Sequence, residues 1–424
     1  MRDVATTAVL AAKYMTRFRC LAGDCEATCC GGGIIPVQES NHRRLTILGQ
    51  GDAAALALIE HGIQRTPEGP DFARIRFDDG ECSMRDGAGL CTIHQRFGHG
   101  ALFEVCATYP RYASKVDDDL ELFGTLACPE VARLALLADD AFELADFTLE
   151  EAPRIFRNQF RTESPYYRPF KPVRAALVRL MSEPEYALPD KLFVLLWIAD
   201  KLKGVLRQGG GAVSPTELDR ALGAISQPEV LDHLIRSFKD LVLDGNLAFS
   251  VIVASLRPPP EPRHGAQTAG FDAIWQAAVA AMGPALAPDA TPTDVELGQA
   301  WSRYLRLRAE LPRGSEARAD LLLTRYVVNH LLTTPYMLSN SSFEFGYDLV
   351  VRAACLRLLL TTELSRGADD DAERDAQMVR VIYSFVRAVE HSDSLTVLRR
   401  ALDAQGLAGL PHAVGFLAVW RPAS

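Results

Sequence analysis

Residues 20–30 read Cys20-Leu21-Ala22-Gly23-Asp24-Cys25-Glu26-Ala27-Thr28-Cys29-Cys30. Four thiols this close in sequence can converge only if the chain folds back on itself, and a bound metal ion or cluster supplies the free energy for such a fold. Neighbouring residues of an extended chain point to opposite sides. We therefore expect one of Cys29 and Cys30 to face a different site, or to be the less committed ligand.

The remaining cysteines continue this pattern through the first third of the chain. The next four are Cys82, Cys91, Cys106 and Cys128. After Cys128 the sequence has one further cysteine, Cys355. Clustered thiols in a long chain are typical of a zinc or iron–sulfur centre. Unliganded buried thiols and disulfides are the alternatives. The eight cysteines permit two four-cysteine sites or one cluster with additional free, structural or redox thiols, and spacing alone does not separate iron–sulfur from zinc.

Composition narrows the class of protein. The chain has 424 residues, 48% of them hydrophobic and 23% charged, with a net charge of −9. This charge gives no footprint of a nucleic-acid binder, and no segment resembles a transmembrane helix, so neither a nucleic acid nor a membrane is expected as a partner. Val4–Ala12 has a faint likeness to a signal peptide, but Asp3 lies where a positive charge belongs. We expect a cytoplasmic protein.

Periodicity and turn residues predict a mainly α fold. An irregular, cysteine-rich N-terminal region (1–131), with short strands around Cys82–Leu126, is expected to pack on a multi-helix body. This body comprises a helical domain (132–256), a linker rich in Pro and Gly (257–270) and a C-terminal helical domain (271–424). Helices are predicted at Glu39–Ile63, Pro172–Met181, Pro189–Leu206, Ser214–Leu222, Pro228–Leu256, Phe271–Met282, Asp294–Leu311, Glu316–Thr333, Tyr347–Arg366, Asp370–His391 and Asp393–Ala404.

An ordered set of motifs accompanies the cysteines. They are Tyr14-Met15-Thr16-Arg17-Phe18-Arg19-Cys20, Glu81-Cys82, Leu90-Cys91, Cys106-Ala107-Thr108-Tyr109-Pro110-Arg111 and Ala127-Cys128-Pro129-Glu130. Together they resemble the start of the bacterial flagellin lysine-N-methylases, a family within the wider CxxCxxCC group of zinc- or iron-chelating proteins. Arg325–Leu332 is similar to a helix in the C-terminal part of that family. The first cysteine spacing is longer than a strict CxxCxxCC, which favours the methylase branch.

The resemblance implies an S-adenosylmethionine-dependent methyltransferase that modifies the ε-amine of surface lysines on flagellin. It further implies that Cys20, Cys25, Cys29, Cys30, Cys82, Cys91, Cys106 and Cys128 hold an iron–sulfur centre, expected as [4Fe–4S] with zinc as the alternative. A non-catalytic zinc- or iron-binding interaction module and an iron–sulfur redox protein are the competing functions.

Methyl transfer to lysine has chemical requirements that the sequence meets only in part. The amine must be neutral, although the pKa of free lysine is about 10.4, so the site must desolvate it or supply a base. The sequence contains no dinucleotide-type glycine fingerprint after a strand, so the donor site is expected to be non-standard. The catalytic and cofactor-binding residues are otherwise unknown; Tyr109 and Arg111, beside Cys106, are candidates for contacting the donor carboxylate or the amine.

Overall fold

The computed structural model describes residues 6–31, 34–66, 71–163, 167–204, 206, 215–257, 265–336, 339–390 and 394–421. These residues are mainly helical with small sheets, which confirms the mainly α part of the predicted fold class; the metal-binding character of the N-terminal region stays a prediction. The strands are β1 (Thr7–Ala12), β2 (Pro36–Val37), β3 (Ile63–Arg65), β4 (Ala73–Ile75), β5 (Phe77–Asp78), β6 (Glu81–Cys82), β7 (Arg111–Val116), β8 (Asp119–Gly124), β9 (Leu144–Leu149) and β10 (Asn158–Phe160).

The helices include long elements that run through the second half of the chain. They are α1 (Lys13–Arg17), α2 (Glu39–Leu48), α3 (Ala53–Gly62), α4 (Thr92–Phe97), α5 (Glu104–Thr108), α6 (Pro129–Leu137), α7 (Phe170–Ser182), α8 (Leu188–Leu202), α9 (Pro215–Ala224), α10 (Pro228–Lys239), α11 (Gly245–Leu256), α12 (Gly265–Met282), α13 (Asp294–Ala309), α14 (Ser315–Thr333), α15 (Ser342–Leu364), α16 (Asp371–Phe385), α17 (Ser394–Ala404) and α18 (Leu410–Gly415), with a π-helical turn at Val386–Glu390. Within the described ranges, no helix is both long and apolar enough to cross a membrane.

The largest sheet of the described residues has the strand order β10-β7-β8-β1-β9. Strand β1 runs parallel to β8 and antiparallel to β9, and Val9, Ala11 and Ala12 are buried in the core. Residues 7–12, which belong to the apolar run with a faint likeness to a signal peptide, therefore form a strand. The hairpin of β7 and β8 confirms the short strands predicted between Cys82 and Leu126.

Region 132–256 departs from the expectation of an all-helical domain, because it also contains β9 and β10. Residues Leu144–Leu149 pair along their whole length with β1, and tertiary pairing of this kind outweighs weak local propensity. The helix predicted over Pro228–Leu256 is divided into α10 and α11, since the Asp244 side chain accepts a hydrogen bond from the Leu247 N–H (3.1 Å) and starts a new helix.

The structure describes only part of the predicted linker 257–270. Residues 258–264 lie outside the described residues, whereas α12 begins at Gly265. The described end of the predicted linker, from Gly265 onward, is therefore helical.

Two hydrophobic cores organise the described residues. The main core joins β1, β7, β8 and α6 to the helices from α7 onward. The small core lies within residues 35–107 and is built from α2, α3, β3, β4 and the segment around Met84, Ile93 and Phe103. The cysteine segment 20–30 lies between Phe18 of the main core and Ile35 of the small core.

A buried hydrogen-bond network ties the sheet to helix α14. The Tyr14 hydroxyl donates to Asn329 Oδ1 (2.7 Å) and accepts from the Gly124 N–H (2.7 Å), while Asn329 Nδ2 donates to the Gly124 carbonyl (3.2 Å). All three residues are buried. Buried polar groups that lose a partner cost more free energy than the bond itself contributes.

Replacing Tyr14 with Phe removes this hydroxyl and leaves the Gly124 N–H unpaired. We expect the free energy of unfolding to fall by about 1–3 kcal/mol, measured by urea denaturation. Tyr186→Phe is the matched control, because its hydroxyl bonds Asp232 at an exposed position (3.1 Å) and its loss should change stability by less than about 0.5 kcal/mol. Equal effects of the two variants on the free energy of unfolding would contradict a stabilising role of the buried network.

Candidate metal centre

The cysteines of the first third of the chain form two groups, and all nine cysteines are free thiols. We call Cys30, Cys82, Cys91 and Cys106 the small-core thiols; each of them interacts electrostatically with the other three. We call Cys20, Cys25 and Cys128 the main-core thiols, which likewise interact with one another. The names reflect packing, since Cys82, Cys91 and Cys106 contact the small core whereas Cys128 belongs to the main core.

Short elements of the small core position its thiols. Cys82 ends β6, and its N–H donates to the Cys30 carbonyl (2.9 Å), which joins the two sequence clusters. Cys91 immediately precedes α4, and Cys106 lies within α5. Burial raises the pKa of Cys82 to about 12, and burial also raises the pKa of Cys91 and of Cys106, with neighbouring thiols adding to each increase. Cys82, Cys91 and Cys106 therefore stay protonated until a metal cation displaces the protons.

The start of helix α6 positions Cys128. Cys128 is the N-cap residue and Pro129 occupies the first turn, where a missing backbone N–H costs nothing. Burial raises the pKa of Cys128 to about 11, against the opposing effect of the Val131 and Glu130 N–H groups. Burial likewise raises the pKa of Cys25, opposed by the Ala27 N–H. Backbone N–H groups at a sulfur stabilise the thiolate form that binds metal.

The adjacent pair Cys29–Cys30 connects the two groups. Cys29 hydrogen-bonds Cys30 and interacts electrostatically with both Cys20 and Cys106, so it lies between the groups. That hydrogen bond lowers the pKa of Cys30, with further contributions from the Thr28 hydroxyl and the Arg85 guanidinium, and it raises the pKa of Cys29. The expectation that one of the two residues serves a different site stays a prediction.

Two arginines hold the cysteine segment in place. Arg387, in the π-helical turn, donates to the Thr28 carbonyl (2.8 Å) and is 7% exposed. Arg133 of α6 pairs with Glu26 (2.6 Å) at the surface. Sequence reasoning missed Arg387, because nothing local to a position 359 residues from Thr28 signals the contact. Arg85 carried a signal, since it lies in the turn between Cys82 and Cys91.

The two catalytic candidates lie beside the main-core thiols. Burial raises the pKa of Tyr109 well above its usual value, and the nearby Cys128 adds to the increase. Arg111 has its guanidinium 5.2 Å from the centre of the Phe18 ring, and burial lowers its pKa while Cys20 and Cys128 oppose that effect. Both side chains are thus close enough to influence a centre held by these thiols; their catalytic role stays a prediction.

The chemistry of the thiols determines which metal ions or clusters this arrangement can bind. In the part of the chain that the structure describes, no three His, Cys, Asp or Glu side chains converge tightly enough to hold a single metal ion. The donor set itself consists of sulfur alone in both groups, which suits soft metals and iron–sulfur clusters. Four thiols in one group match the ligand number of such a centre.

Comparisons with known proteins place the chain in a family. The model of the FliB lysine N-methylase C-terminal domain matches residues 174–416, more than half of the chain. The chain therefore belongs to the FliB lysine N-methylase family, as its motifs predicted.

Curated relatives agree with this assignment. The chain is similar to a lysine-N-methylase of Salmonella typhimurium and to one of Salmonella choleraesuis, in each case 26% identical over 32% of this chain and 34% of the relative. It is also similar to the flagellar biosynthetic protein FliU of Salmonella muenchen, 24% identical over 36% of this chain and 91% of that protein. The match thus spans about a third of the length of the curated methylases. No solved structure matches the chain.

Replacing Arg387 with Ala should release the cysteine segment from the π-helical turn. A hydrogen bond from a buried charged donor contributes about 1.5–3 kcal/mol, so amide hydrogen exchange within residues 20–30 should become at least about tenfold faster. Arg374→Ala is the control. It removes an exposed ion pair with Asp371 within α16, the helix that precedes the π-helical turn, and it should leave the exchange unchanged. Unchanged exchange in the Arg387 variant would contradict the anchoring role.

Proposed function

We propose that this protein is an S-adenosylmethionine-dependent protein-lysine N-methyltransferase that acts on surface lysines of flagellin. Membership of the FliB lysine N-methylase family supports the reaction class. The flagellar name of one relative supports a flagellin-linked substrate. The arrangement of seven cysteines in two thiol groups, with Cys29 between them, supports a resident iron–sulfur centre, and it is the structural observation that carries the proposal.

The small-core thiols Cys30, Cys82, Cys91 and Cys106 would hold a [4Fe–4S] cluster. Each lies near the other three, and the group contains the four thiolates that such a cluster requires. Zinc bound by the same four thiols is the alternative, because both centres accept four thiolate ligands. The main-core thiols with Cys29 would form a second sulfur site.

With all four irons bound to thiolates, the cluster would have no open coordination position, and it would supply structural support or redox chemistry. The chain's own residues perform the remaining tasks. Arg111 carries a positive charge beside Cys20 and Cys128, where it offsets thiolate charge or binds a carboxylate. Tyr109 is buried and protonated next to Cys128, so it can donate a hydrogen bond but does not act as a base near neutral pH. Methyl transfer otherwise depends on holding donor and amine in line.

Metal analysis of protein purified without oxygen tests the proposed centre. We expect about four iron and four sulfide per small-core group, with a broad absorption band typical of thiolate-bound clusters. Cys91→Ala should remove this iron, because a thiolate ligand is lost. Cys355→Ala is the matched control, since Cys355 is a fully buried thiol of α15 with no part in either group. Stoichiometric zinc in a colourless protein would replace the cluster with a structural site.

Incubation of the cluster-containing protein with flagellin and isotopically labelled S-adenosylmethionine tests the reaction. We expect methyllysine in flagellin, located by peptide mass spectrometry, and saturable binding of the donor. Flagellin with chemically acetylated lysines is the control and should accept no label. Intact protein that binds no donor would exclude the methyltransferase and leave an interaction module, whereas a reversible reduction without methyl transfer would favour a redox protein.

A further inference from the structure

A second cluster of titratable side chains lies beneath the π-helical turn. Tyr326 and His330 are one turn apart on α14, Arg352 comes from α15, and Glu390 ends the turn Val386–Glu390. The Tyr326 hydroxyl donates to Glu390 Oε1, and Arg352 Nε lies 3.9 Å from the same oxygen. We call these four residues the α14–α15 polar cluster.

The polar cluster is largely buried, and its charged side chains keep a small exposed fraction. The side chains of Arg352 and Glu390 are 16% and 15% exposed, and His330 is also partly exposed. The His330 ring packs between the rings of Tyr326 (centroids 6.3 Å apart) and Phe345 (5.7 Å). Single π-helical turns occur frequently at functional sites.

The hydrogen bonding of the cluster is incomplete. Among the described residues, Arg352 Nε has no hydrogen-bond partner, and Glu390 accepts its hydrogen bond through one carboxylate oxygen only. A buried ion pair whose partners stand 3.9 Å apart recovers little of its desolvation cost. The second carboxylate oxygen of Glu390 therefore has the capacity to accept a hydrogen bond from a further donor.

The electrostatics favour a neutral amine. Burial lowers the pKa of His330 well below its usual value, with Arg352 and Arg157 adding to the effect, so the imidazole is neutral at pH 7. Burial raises the pKa of Glu390, opposed mainly by Arg352, which makes it a better proton acceptor than an exposed carboxylate. A cation next to a desolvated amine lowers the pKa of that amine; Arg352 supplies this cation and also faces Asp348 and the Cys355 thiol.

The cluster also adjoins the cysteine region. Arg387, in the same π-helical turn as Glu390, donates to Thr28 between Cys25 and Cys29. On the other side, Arg157 lies 4.7 Å from the centre of the Tyr112 ring, and Tyr112 interacts with Tyr109 beside Cys128. An amine held by Glu390 would thus lie within one helical turn of a residue that contacts the cysteine segment.

We propose that the α14–α15 polar cluster receives the ε-amine of the substrate lysine, with Glu390 as its proton acceptor. This inference rests on the proposed methyltransferase function. The entering ammonium gives a proton to the Glu390 carboxylate, and the neutral amine forms a bond to the methyl carbon of the sulfonium donor. The carbon–sulfur bond breaks with its electron pair remaining on sulfur, the methylated ammonium leaves, and Glu390 releases its proton to solvent.

Glu390→Gln in the full-length, cluster-containing protein tests this inference. At saturating flagellin we expect single-turnover methyl transfer to fall by about 10²–10⁴-fold and to become steeply faster with rising pH, because solvent must now deprotonate the amine. Iron content and binding of S-adenosylmethionine should not change. Glu344→Gln, which removes an ion-paired carboxylate of α15 facing Arg399 (2.8 Å), is the control and should retain the wild-type rate and pH profile.

A second variant covers the case in which Glu390→Gln does not fold. Tyr326→Phe should lower the rate about tenfold or more and shift its pH dependence, because Glu390 loses its hydrogen bond; Tyr304→Phe, another fully buried tyrosine whose hydroxyl bonds the Val419 carbonyl (2.8 Å), should not. Folded Glu390 and Tyr326 variants that methylate flagellin at the wild-type rate would overturn the inference while leaving the enzyme.

A direct binding measurement separates failure of the inference from failure of the proposed function. Wild-type protein that methylates no lysine would overturn the proposed function. Calorimetric titration with a flagellin-derived lysine peptide then still reports on the site: binding weakened by Glu390→Gln and unaffected by Glu344→Gln would support an amine-binding cluster, and equal binding by all three proteins would overturn it.

Discussion

The segment from Cys20 to Cys30 lies where the two hydrophobic cores meet, and the arrangement of the molecule depends on this crossing. Phe18 is buried in the main core, and Ile35 is buried in the small core, so the chain passes from one core to the other through the cysteines. Thiols at the start of the segment therefore group with Cys128, whereas Cys30 groups with the cysteines of the small core. Each thiol group is held in place by the hydrophobic core on which it packs.

Burial and backbone N–H groups have opposite effects on the pKa values of the cysteine thiols. Burial raises the pKa of most of these thiols, and N–H groups near Cys25, Cys82, Cys91 and Cys128 act in the opposite direction. For Cys91 and Cys128 these donors come from the first turn of a helix, where backbone N–H groups lack partners and the helix dipole is positive. The thiols with raised pKa values are thus protonated before a metal binds, whereas the pKa of Cys30 is lowered, and metal loading must release the protons of the former.

Much of the helical body follows from the sequence, because long periodic segments with caps are locally determined. Helices α7, α13, α14 and α16 begin within a few residues of their predicted positions. Strand β1 could not be assigned, since a short apolar run fits a strand, a leader or a buried helix equally well. Strands β9 and β10 were missed because their pairing partners, β1 and β7, are distant in sequence.

The candidate site shows the same division between local and distant information. Eight cysteines predict a metal-binding region, and the adjacency of Cys29 and Cys30 predicts that one of the two serves a different site. Which thiols share a site depends on how residues 35–107 fold, and no spacing rule contains that information. Arg387 and Glu390 were out of reach of sequence reasoning, because their partners Thr28 and Tyr326 come from remote parts of the chain.

The shared main core bears on how this family is divided into fragments. The family match begins at residue 174, yet Val131 and Ala135 of α6 and Phe123 of β8 are buried in the same core as the helices beyond that point. Arg325 of α14 donates to the Leu136 carbonyl (2.7 Å), and Tyr14 bonds Asn329. A recombinant piece cut at the family boundary would expose this apolar surface and aggregate. The boundary marks sequence similarity, and it does not mark a unit that folds alone.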